Sequence, residues 1–333
     1  MRTLIVGVVL FGLATMAGAV DAPVATVGSQ TITRAQLEAH VRAKLIELDN
    51  QRYEALHEGL DEMIADDLFK QEAKARGIAP EALEKQEIES KIPAATDAEI
   101  KKVYDDNKEQ LGEATLDSVK PQILDYLKQQ KEAERRDAFI TELKGKYKTT
   151  VALQPPVVEV STGGRPSRGG GTNAPVTIIA FSDYECPFCK RAEGSVSKVM
   201  STYGDKVRYV HRDFPLPFHE HARPAAEAAR CAEAQGKFWE YHDKLFASQD
   251  LSPDKLKELA TQLGLDRSKF DECLAKQPYD AGIEKDIADG AEVGVSGTPA
   301  FFINGRLLSG AQPFEKFKEV IDEELARPKT PKT

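Results

Sequence analysis

Two cysteines separated by two residues, Cys186 and Cys189, are the side chains of this sequence best suited to chemistry. Pro187 and Phe188 lie between them, in the stretch DYECPFCK. A pair with this spacing can exchange electrons, supply half of a metal site or form a structural disulfide. These three uses need different surroundings, so the rest of the sequence distinguishes among them.

A zinc site requires about four ligands, usually from a second cysteine pair or from histidines at suitable spacing. His219 and His221 lie among prolines and aromatic residues, and the other two cysteines, Cys231 and Cys273, are isolated from each other in sequence. The CxxC pair is therefore only half of a metal site. We expect no metal and no cofactor.

A purely structural bridge is also disfavoured, because closing so short a loop removes little entropy from the unfolded chain. The local pattern favours redox chemistry instead. The apolar stretch VTIIAF, which starts at Val176, predicts a buried strand before the pair, and a helical pattern follows it.

The first cysteine then lies at the N-terminus of a helix, where free N–H groups and the helix dipole stabilise a thiolate. Pro187 suits the first helical position, which needs no N–H donor. We predict Cys186 as the nucleophile and Cys189, one turn further in, as the more buried resolving cysteine.

The tripeptide Gly297-Thr298-Pro299, far downstream, supports this prediction. Pro299 could be an ordinary turn residue before a strand. In the functional interpretation the Thr298–Pro299 bond is cis, and the backbone of Thr298 lies beside the sulfurs, where it can pair with an extended substrate. The predicted substrate-binding residues are Pro187, Phe188, Thr298 and Pro299.

The elements around these residues belong to a chain of 333 residues, long enough for two ordinary domains. Arg2, an apolar run over residues 4–13, and small residues at Ala17 and Ala19 are typical of a signal peptide over residues 1–19. We therefore expect an exported, periplasmic protein. A retained N-terminal membrane anchor is the alternative, because the uncharged run is almost long enough to span a bilayer.

Export places the cysteines in an oxidising compartment, where thiols pair unless they are kept reduced. The formal net charge is -9. A protein with this charge balance lacks the basic surface that a nucleic-acid or anionic-membrane partner needs. We expect no nucleic-acid partner.

Residues 20–153 contain no cysteine and no tryptophan, and they read as helices after one hairpin, VATVGSQTI. Thr33 and Thr96 each precede a Gln or Glu by three residues, which predicts capping boxes. Apolar positions predict one helix across residues 37–48 and a second across residues 53–69 that ends at Gly77. The carboxylates are interspersed with lysines, as on a solvated helix surface, so we expect no active site here.

This front region resembles the helical frame of the SurA and parvulin-type periplasmic chaperones. The matching segments are VATVGSQTITRAQLEAHV, FKQEAKARGI and VKPQILDYLKQQKEAERRDAFITELKGKYKTTVALQPP. In those proteins a parvulin isomerase domain is usually inserted before the closing helix, whereas here only LGEATLDS stands in that place. The resemblance implies a chaperone-like or oligomerising frame without prolyl isomerase activity.

Residues 154–174 predict a linker and surface loop, because Pro155 and Pro156 stiffen the chain and STGGRPSRGGG loosens it. Residues 157–160, Val157 to Val160, are a candidate first strand of the next domain. Residues 329–333 are expected to form a tail.

Residues 175–328 read as strand, helix, strand, a helical insertion across residues 219–290, a hairpin turning at Asn304-Gly305, and a final helix from Phe314 to Ala326. This order predicts an α/β thioredoxin fold with an inserted helical subdomain, preceded by a mainly α-helical domain.

Three ordered segments in this half resemble the DsbA-like thioredoxin family of exported thiol-disulfide oxidoreductases. They are APVTIIAFSDYECPFCKR, HRDFPLPFHEHARPAAEAARCAEAQGKFWEYHDKLF and GVSGTPAFFINGRLLSGAQPFEKF. The resemblance implies that Cys186 is the nucleophile, that Cys189 resolves the mixed disulfide, and that Thr298-Pro299 is the cis-proline clamp.

Two departures from the family pattern affect the chemistry. Many relatives carry an acidic residue six positions before the nucleophile, which relays a proton to the resolving cysteine; here that position is Ala180. Whether Asp183 replaces it is open. Phe188 stands where the most oxidising relatives have histidine, so we expect a milder oxidant, with a Cys186 pKa above the value of about 3.5 found in those proteins.

The family assignment leaves Cys231 and Cys273 as a structural disulfide, because only this pairing of the four cysteines keeps the redox pair intact. The histidines within the matching segments are expected to be structural, since thiol exchange needs none of them. They are His211, His219, His221 and His242.

The resulting hypothesis is a protein disulfide oxidoreductase and isomerase that acts on unfolded or misfolded polypeptides and depends on a membrane redox partner. The front region either binds the client or pairs two chains as a homodimer, which favours isomerisation in the family. The alternatives are a monomeric oxidase that inserts disulfides and a chaperone with secondary redox activity.

Overall fold

A computed structural model of the chain describes residues 22–327. The predicted signal peptide and the C-terminal tail lie outside these residues. The chain divides into two compact units, one of residues 52–154 and one that joins the residues before 52 to those from Pro155 onward. Within residues 22–327, no helix is long and apolar enough to cross a membrane.

The front region begins with an antiparallel hairpin and continues as helices. Its elements are β1 (Pro23–Val27), β2 (Gln30–Thr33), α1 (Arg34–His40), α2 (Arg42–Arg76), α3 (Pro80–Glu87), α4 (Asp97–Asp106), α5 (Lys108–Leu111) and α6 (Leu116–Lys146).

Both predicted capping boxes are present. The hydroxyls of Thr33 and Thr96 accept the backbone N–H three residues on, and the side chains of Gln36 and Glu99 reach back to the threonine N–H groups. Gly77 follows α2 with a φ of 68°, a left-handed conformation that glycine adopts without steric cost.

The prediction of two separate helices across residues 37–48 and 53–69 is wrong. The chain breaks earlier, at Val41, and α2 then runs without interruption to Arg76. The segment between the two predicted helices, residues 49–52, contains neither glycine nor proline, so nothing in it opposes a continuous helix.

Residues 52–154 are held together by two small apolar cores, and α6 contributes to both. One core packs Phe139 and Leu143 of α6 against Phe69 and Leu83. The other packs Ile123 of α6 with its neighbours against α4. The long amphipathic α6 therefore organises this unit.

The second half contains a five-stranded sheet in the order β3-β5-β4-β6-β7, in which β4 and β5 are parallel and the other pairs antiparallel. The strands are β3 (Ser167–Gly169), β4 (Val176–Ser182), β5 (Val207–Asp213), β6 (Ala300–Ile303) and β7 (Arg306–Ser309). The helices are α7 (Pro187–Tyr203), α8 (Ala222–Glu233), α9 (Phe238–Ala247), α10 (Pro253–Gln262), α11 (Arg267–Lys276), α12 (Asp280–Glu292) and α13 (Phe314–Ala326).

The central strand β4 is almost wholly buried, as its continuous apolar run predicts. Helix α7 connects it to its parallel neighbour β5 and packs with α13 against one face of the sheet. Helices α8–α12 form the inserted subdomain, and their apolar core also takes in Tyr184, Cys186 and Cys189. The predicted fold class, a thioredoxin fold with a helical insertion after a helical region, is confirmed.

One prediction for the segment before the sheet needs correction: residues Val157–Val160 are not a strand. The N–H of Val158 donates a single hydrogen bond to the Gly305 carbonyl, 3.0 Å away. The edge strand is instead β3, in the glycine-rich stretch predicted as a loop. Glycine is needed there because a Cβ on Gly169 would lie 2.5 Å from the Val207 carbonyl oxygen.

Candidate active site

The cysteine pair lies where β4 ends and α7 begins. Cys186 is the N-cap residue of α7, and Pro187 takes the first helical position. The backbone N–H of Cys186 donates to the Asp183 carbonyl at 3.2 Å, which fixes the turn from strand to helix. Cys186 is 3% exposed and Cys189, one turn further in, is 1% exposed, and both thiols are free.

Thr298 lies directly across from Cys186. Its carbonyl oxygen is 3.5 Å from Cys186 Sγ, and the peptide bond to Pro299 is cis. The antiparallel pairing of β6 with β4, which sets Ala300 against Phe181, brings this loop to the cysteines. A contact between residues far apart in sequence thus follows from the sheet.

The two sulfurs differ in acidity. The pKa of Cys186 is lowered to about 5, mainly by a hydrogen bond from the Cys189 thiol and also by the N–H groups of Cys189 and Phe188, while burial opposes the shift. Burial and the hydrogen bond to Cys186 raise the pKa of Cys189 well above its ordinary value. The pair therefore combines one thiolate with one protonated thiol near neutral pH.

Apolar side chains flank Cys186. Pro187 is exposed and the Phe188 side chain is 53% exposed, with the Arg191 guanidinium 4.8 Å above its ring. Phe218 is 75% exposed on the loop of residues 214–221, which is hydrogen-bonded to Asp183. These side chains offer an apolar surface beside the nucleophilic sulfur.

Asp183 connects this loop to the turn that carries the cysteines, and no sequence pattern indicated that role. Its carboxylate accepts the N–H groups of Glu185 and Leu216 and lies 2.8 Å from His219 Nδ1. The Glu185 carboxylate accepts the N–H of His221 at 2.6 Å. The carboxylate of Asp183 thus holds the loop of residues 214–221 against the turn.

Cys231 and Cys273 form a disulfide that joins α8 to α11, with an S–S distance of 2.01 Å. Glu227 lies close enough to share an ion with these two sulfurs. Because both sulfurs are in the disulfide, neither is available as a metal-binding thiolate.

The other histidines have different surroundings. His211 and His242 are completely buried, and His221 is the N-cap residue of α8. Near His211, the second half encloses a network of buried charges that no sequence pattern indicated. Its members are Arg165, Arg212, Asp213, Arg230 and Asp286.

The sequence of the second half matches known proteins. Residues 163–323 match a family model described as Thioredoxin. The Na(+)/H(+) antiporter NhaA 3 of Salinispora tropica is 43% identical over 155 residues, and NhaA of Herminiimonas arsenicoxydans is 36% identical over 154 residues. Each match covers 46% of this chain and 24% of the relative, so the chain spans 24% of the length of these relatives.

Two solved structures also resemble the chain. BdbD from Bacillus subtilis is 26% identical with a TM-score of 0.47, over 52% of this chain and 100% of that one. A thioredoxin-like oxidoreductase from Silicibacter pomeroyi is 27% identical with a TM-score of 0.45, over 49% and 93%. The match to the family model and the topology of the sheet show that residues 163–323 of this chain are a thioredoxin-like domain.

Proposed function

We propose that this chain is an exported thiol-disulfide oxidoreductase that exchanges disulfides with unfolded or misfolded polypeptides. The observation that carries this proposal is the asymmetry of the cysteine pair. Cys186 has a pKa lowered to about 5, whereas the buried Cys189 keeps its proton. Cys186 is thus suited to attack a disulfide, and Cys189 is suited to resolve the mixed disulfide that results.

In the proposed reaction the Cys186 thiolate attacks one sulfur of a client disulfide. A bond forms between Cys186 and that sulfur, and the other client sulfur leaves as a thiolate. Cys189 then attacks the mixed disulfide and resolves it, or a second client thiol attacks the mixed disulfide before Cys189 reacts. The first outcome reduces the client, and the second rearranges its disulfides.

The surface around Cys186 supports a polypeptide as the substrate. Phe188 and Phe218 are exposed, which suits apolar segments of unfolded chains. The Thr298 backbone beside the sulfur is placed to pair with an extended client.

The front region supports the isomerase-leaning form of the proposal. Large apolar side chains exposed on it offer a surface for client binding or for pairing two chains as a homodimer. They are Val24, Val27, Ile32, Leu37, Leu45, Leu48, Leu56 and Met63. The same surface favours the second candidate function, a chaperone with secondary redox activity.

Refolding of ribonuclease tests the direction of exchange. We expect faster reactivation of scrambled ribonuclease than oxidation of the reduced enzyme, together with a dimeric mass by light scattering. Faster oxidation by a monomer would instead support a disulfide-forming oxidase. A Cys186→Ala variant that still fully suppresses client aggregation would favour the chaperone function.

Export and a membrane redox partner remain part of the proposal. They rest on the signal-like residues 1–19 and on the need to regenerate one redox state of the pair. Cell fractionation with trapping of mixed disulfides on a Cys189→Ala variant tests both, because the variant cannot resolve the bond at Cys186.

A further inference from the structure

The resolving step, which belongs to the proposed function, needs a proton acceptor for Cys189. Cys189 is buried and holds its proton, yet only its thiolate can attack the mixed disulfide. Ala180 offers no carboxylate for this purpose. The parallel register of β4 and β5, however, pairs Ala180 with His211, so the two side chains lie side by side on the same face of the sheet.

His211 is completely buried and is paired on one side only. Its Nε2 atom lies 3.2 Å from Asp213 Oδ1. Its Nδ1 atom is also buried and has no hydrogen-bond partner among residues 22–327. A buried polar atom without a partner is uncommon and is usually explained by function or by internal water.

The contact with Asp213 sets the tautomer of His211. Asp213 Oδ2 accepts a hydrogen bond from Arg230 Nε at 2.7 Å and lies 3.8 Å from Arg165 Nη2, and, against the opposing effect of burial, these two guanidinium groups lower the pKa of the Asp213 carboxyl. Asp213 is therefore a carboxylate that accepts hydrogen bonds, so Nε2 of a neutral His211 carries the hydrogen. The free lone pair is then on Nδ1.

Cys189 faces the same part of the sheet. The nearby Ser182 hydroxyl lowers the pKa of Cys189, although burial outweighs this effect. Ser182 pairs with Asp213 in the same register that pairs Ala180 with His211. Cys189 belongs to α7, which packs on the face of the sheet that carries Ala180, and it shares a buried cluster with Tyr184, whose ring stacks on His211. The thiol and the imidazole therefore lie on the same side of the sheet.

Two further buried polar atoms without partners surround His211. They are the Tyr184 hydroxyl and His242 Nε2, whose rings lie 5.0 Å from the His211 ring, centroid to centroid. Several unsatisfied polar groups around one point are a suitable site for internal water. Such water, together with the Ser182 hydroxyl, can bridge the distance to Cys189.

We propose that His211, oriented by Asp213, accepts the proton of Cys189 during resolution of the mixed disulfide. Cys189 loses its proton through Ser182 and internal water to His211 Nδ1, and its thiolate attacks Cys186 Sγ. The Cys186–Cys189 bond forms as the bond to the client sulfur breaks, and the client leaves as a thiolate. The cysteine pair is oxidised and the client sulfur reduced.

The new imidazolium is stabilised by the Asp213 carboxylate, in the manner of a histidine oriented by a buried aspartate. The other charged or titratable groups near it are Arg165, Arg230, His242 and Tyr184. His211 does not touch the sulfur, so it is a positioning residue for the proton rather than a catalytic residue.

A reaction with 5,5′-dithiobis(2-nitrobenzoate) separates the two steps. Attack by Cys186 releases the first thionitrobenzoate, and attack by Cys189 on the resulting mixed disulfide releases the second. We expect His211→Gln to leave the first release within about twofold of the wild type and to slow the second by about 10- to 100-fold at neutral pH. We also expect the second rate in the variant to keep rising with pH, as solvent hydroxide replaces the histidine.

Tyr241→Phe is the matched control, because Tyr241 is equally buried and its hydroxyl donates to the Leu256 carbonyl at 2.8 Å within the inserted subdomain. This variant removes a buried hydrogen bond without changing any group of the proposed proton route. Its second release should match that of the wild type. The double variant His211→Ala with Ala180→Glu restores an acceptor on the same face and should recover most of the lost rate.

A second release by His211→Gln within twofold of the wild type would overturn the proposal, and so would equal slowing by Tyr241→Phe. Absence of the first release in the wild type would instead contradict the proposed function. Nitrogen NMR of the wild type provides a test without any variant. The proposal requires neutral His211 to carry its hydrogen on Nε2, and a hydrogen on Nδ1 would refute it.

Discussion

The two halves of the molecule differ in how completely their buried polar side chains are hydrogen-bonded. In residues 52–154, the buried Glu72 carboxylate accepts from Arg76 Nε at 2.7 Å and from the Tyr147 hydroxyl at 2.8 Å, and it also pairs with Lys146. In the thioredoxin-like half, nine buried side-chain nitrogen or oxygen atoms have no hydrogen-bond partner, and they all belong to residues 165–298. Among the side chains that the structure describes within residues 22–154, no such atom is found.

This difference is the one expected between a helical unit that serves structure and a domain that carries a reactive site. Fully paired polar groups stabilise and define a fold, whereas an unpaired buried group costs free energy and persists where function requires it. Three of the unpaired atoms belong to Tyr184, His211 and Thr298, which lie around or behind the cysteines. The helical unit is thus expected to respond to mutation through stability, and the second half through chemistry as well.

Loss of the nucleophile should have the largest effect. We expect Cys186→Ser to reduce thiol exchange by at least about 1,000-fold, because the remaining Cys189 thiol is buried and protonated. Stability should be nearly unchanged, since the reduced pair forms no cross-link. Insulin reduction measures the activity, and retention of more than a tenth of the wild-type rate would contradict the assignment.

Breaking the buried charge network should have the next largest effect. Arg230→Met removes hydrogen bonds of 2.7 Å to both Asp213 and Asp286. Because each of these buried carboxylates then lacks one cationic partner, we expect a loss of about 3–5 kcal/mol of unfolding free energy. Denaturant unfolding followed by the fluorescence of Trp239, the single tryptophan, reports on this half.

Arg223→Met on the same helix is the control for that measurement. Its ion pairs with Asp280 and Glu284 are half-exposed, so a loss of no more than about 1 kcal/mol is expected. Equal losses from the two variants would show that burial does not distinguish these pairs.

Removing the second disulfide should cost somewhat less. A bridge across 42 residues contributes at most about 4 kcal/mol in the chain-entropy model, and we expect about 2–4 kcal/mol to be lost in the double variant Cys231→Ala, Cys273→Ala. Thionitrobenzoate release from Cys186 should persist in this variant. Loss of that reactivity in a folded variant would indicate that the second disulfide takes part in the chemistry.

The smallest effect is expected in the helical unit and depends on pH. Hydrogen bonds from Lys146, Arg76 and Tyr147, opposed by burial, lower the pKa of Glu72 from 4.5 to about 2. A lowered carboxyl pKa contributes stability above pH 4.5 that disappears as the pH falls towards 2. Glu72→Gln should therefore cost about 1–2 kcal/mol at neutral pH and almost nothing near pH 2.

Hydrogen exchange of the α2 and α6 amides measures this effect within the unit. Glu62, an exposed residue of α2, supplies the control variant Glu62→Gln, for which no comparable pH dependence is expected. A loss for Glu72→Gln that is the same at neutral and acidic pH would contradict the ion-pair explanation.

Local features were predictable to different degrees. The final helix occupies Phe314–Ala326 as predicted, because its apolar spacing and preceding proline are local signals. Residues 157–160 have an equally apolar pattern but form no strand, since a strand also requires a partner edge. The outer edge of β5 is paired with β3, where glycines permit close approach of the two backbones.

The sequence by itself determined the position of Cys186 at the start of a helix, because the strand, Pro187 and the helical pattern are all written within a few residues of it. Only the tertiary structure decided that His211 lies beside Ala180, with its Nδ1 buried and unpaired. Strand register and burial depend on contacts between distant segments, and no spacing along one segment encodes them. The placement of Cys186 is thus a local property, and the placement of His211 is a property of the fold.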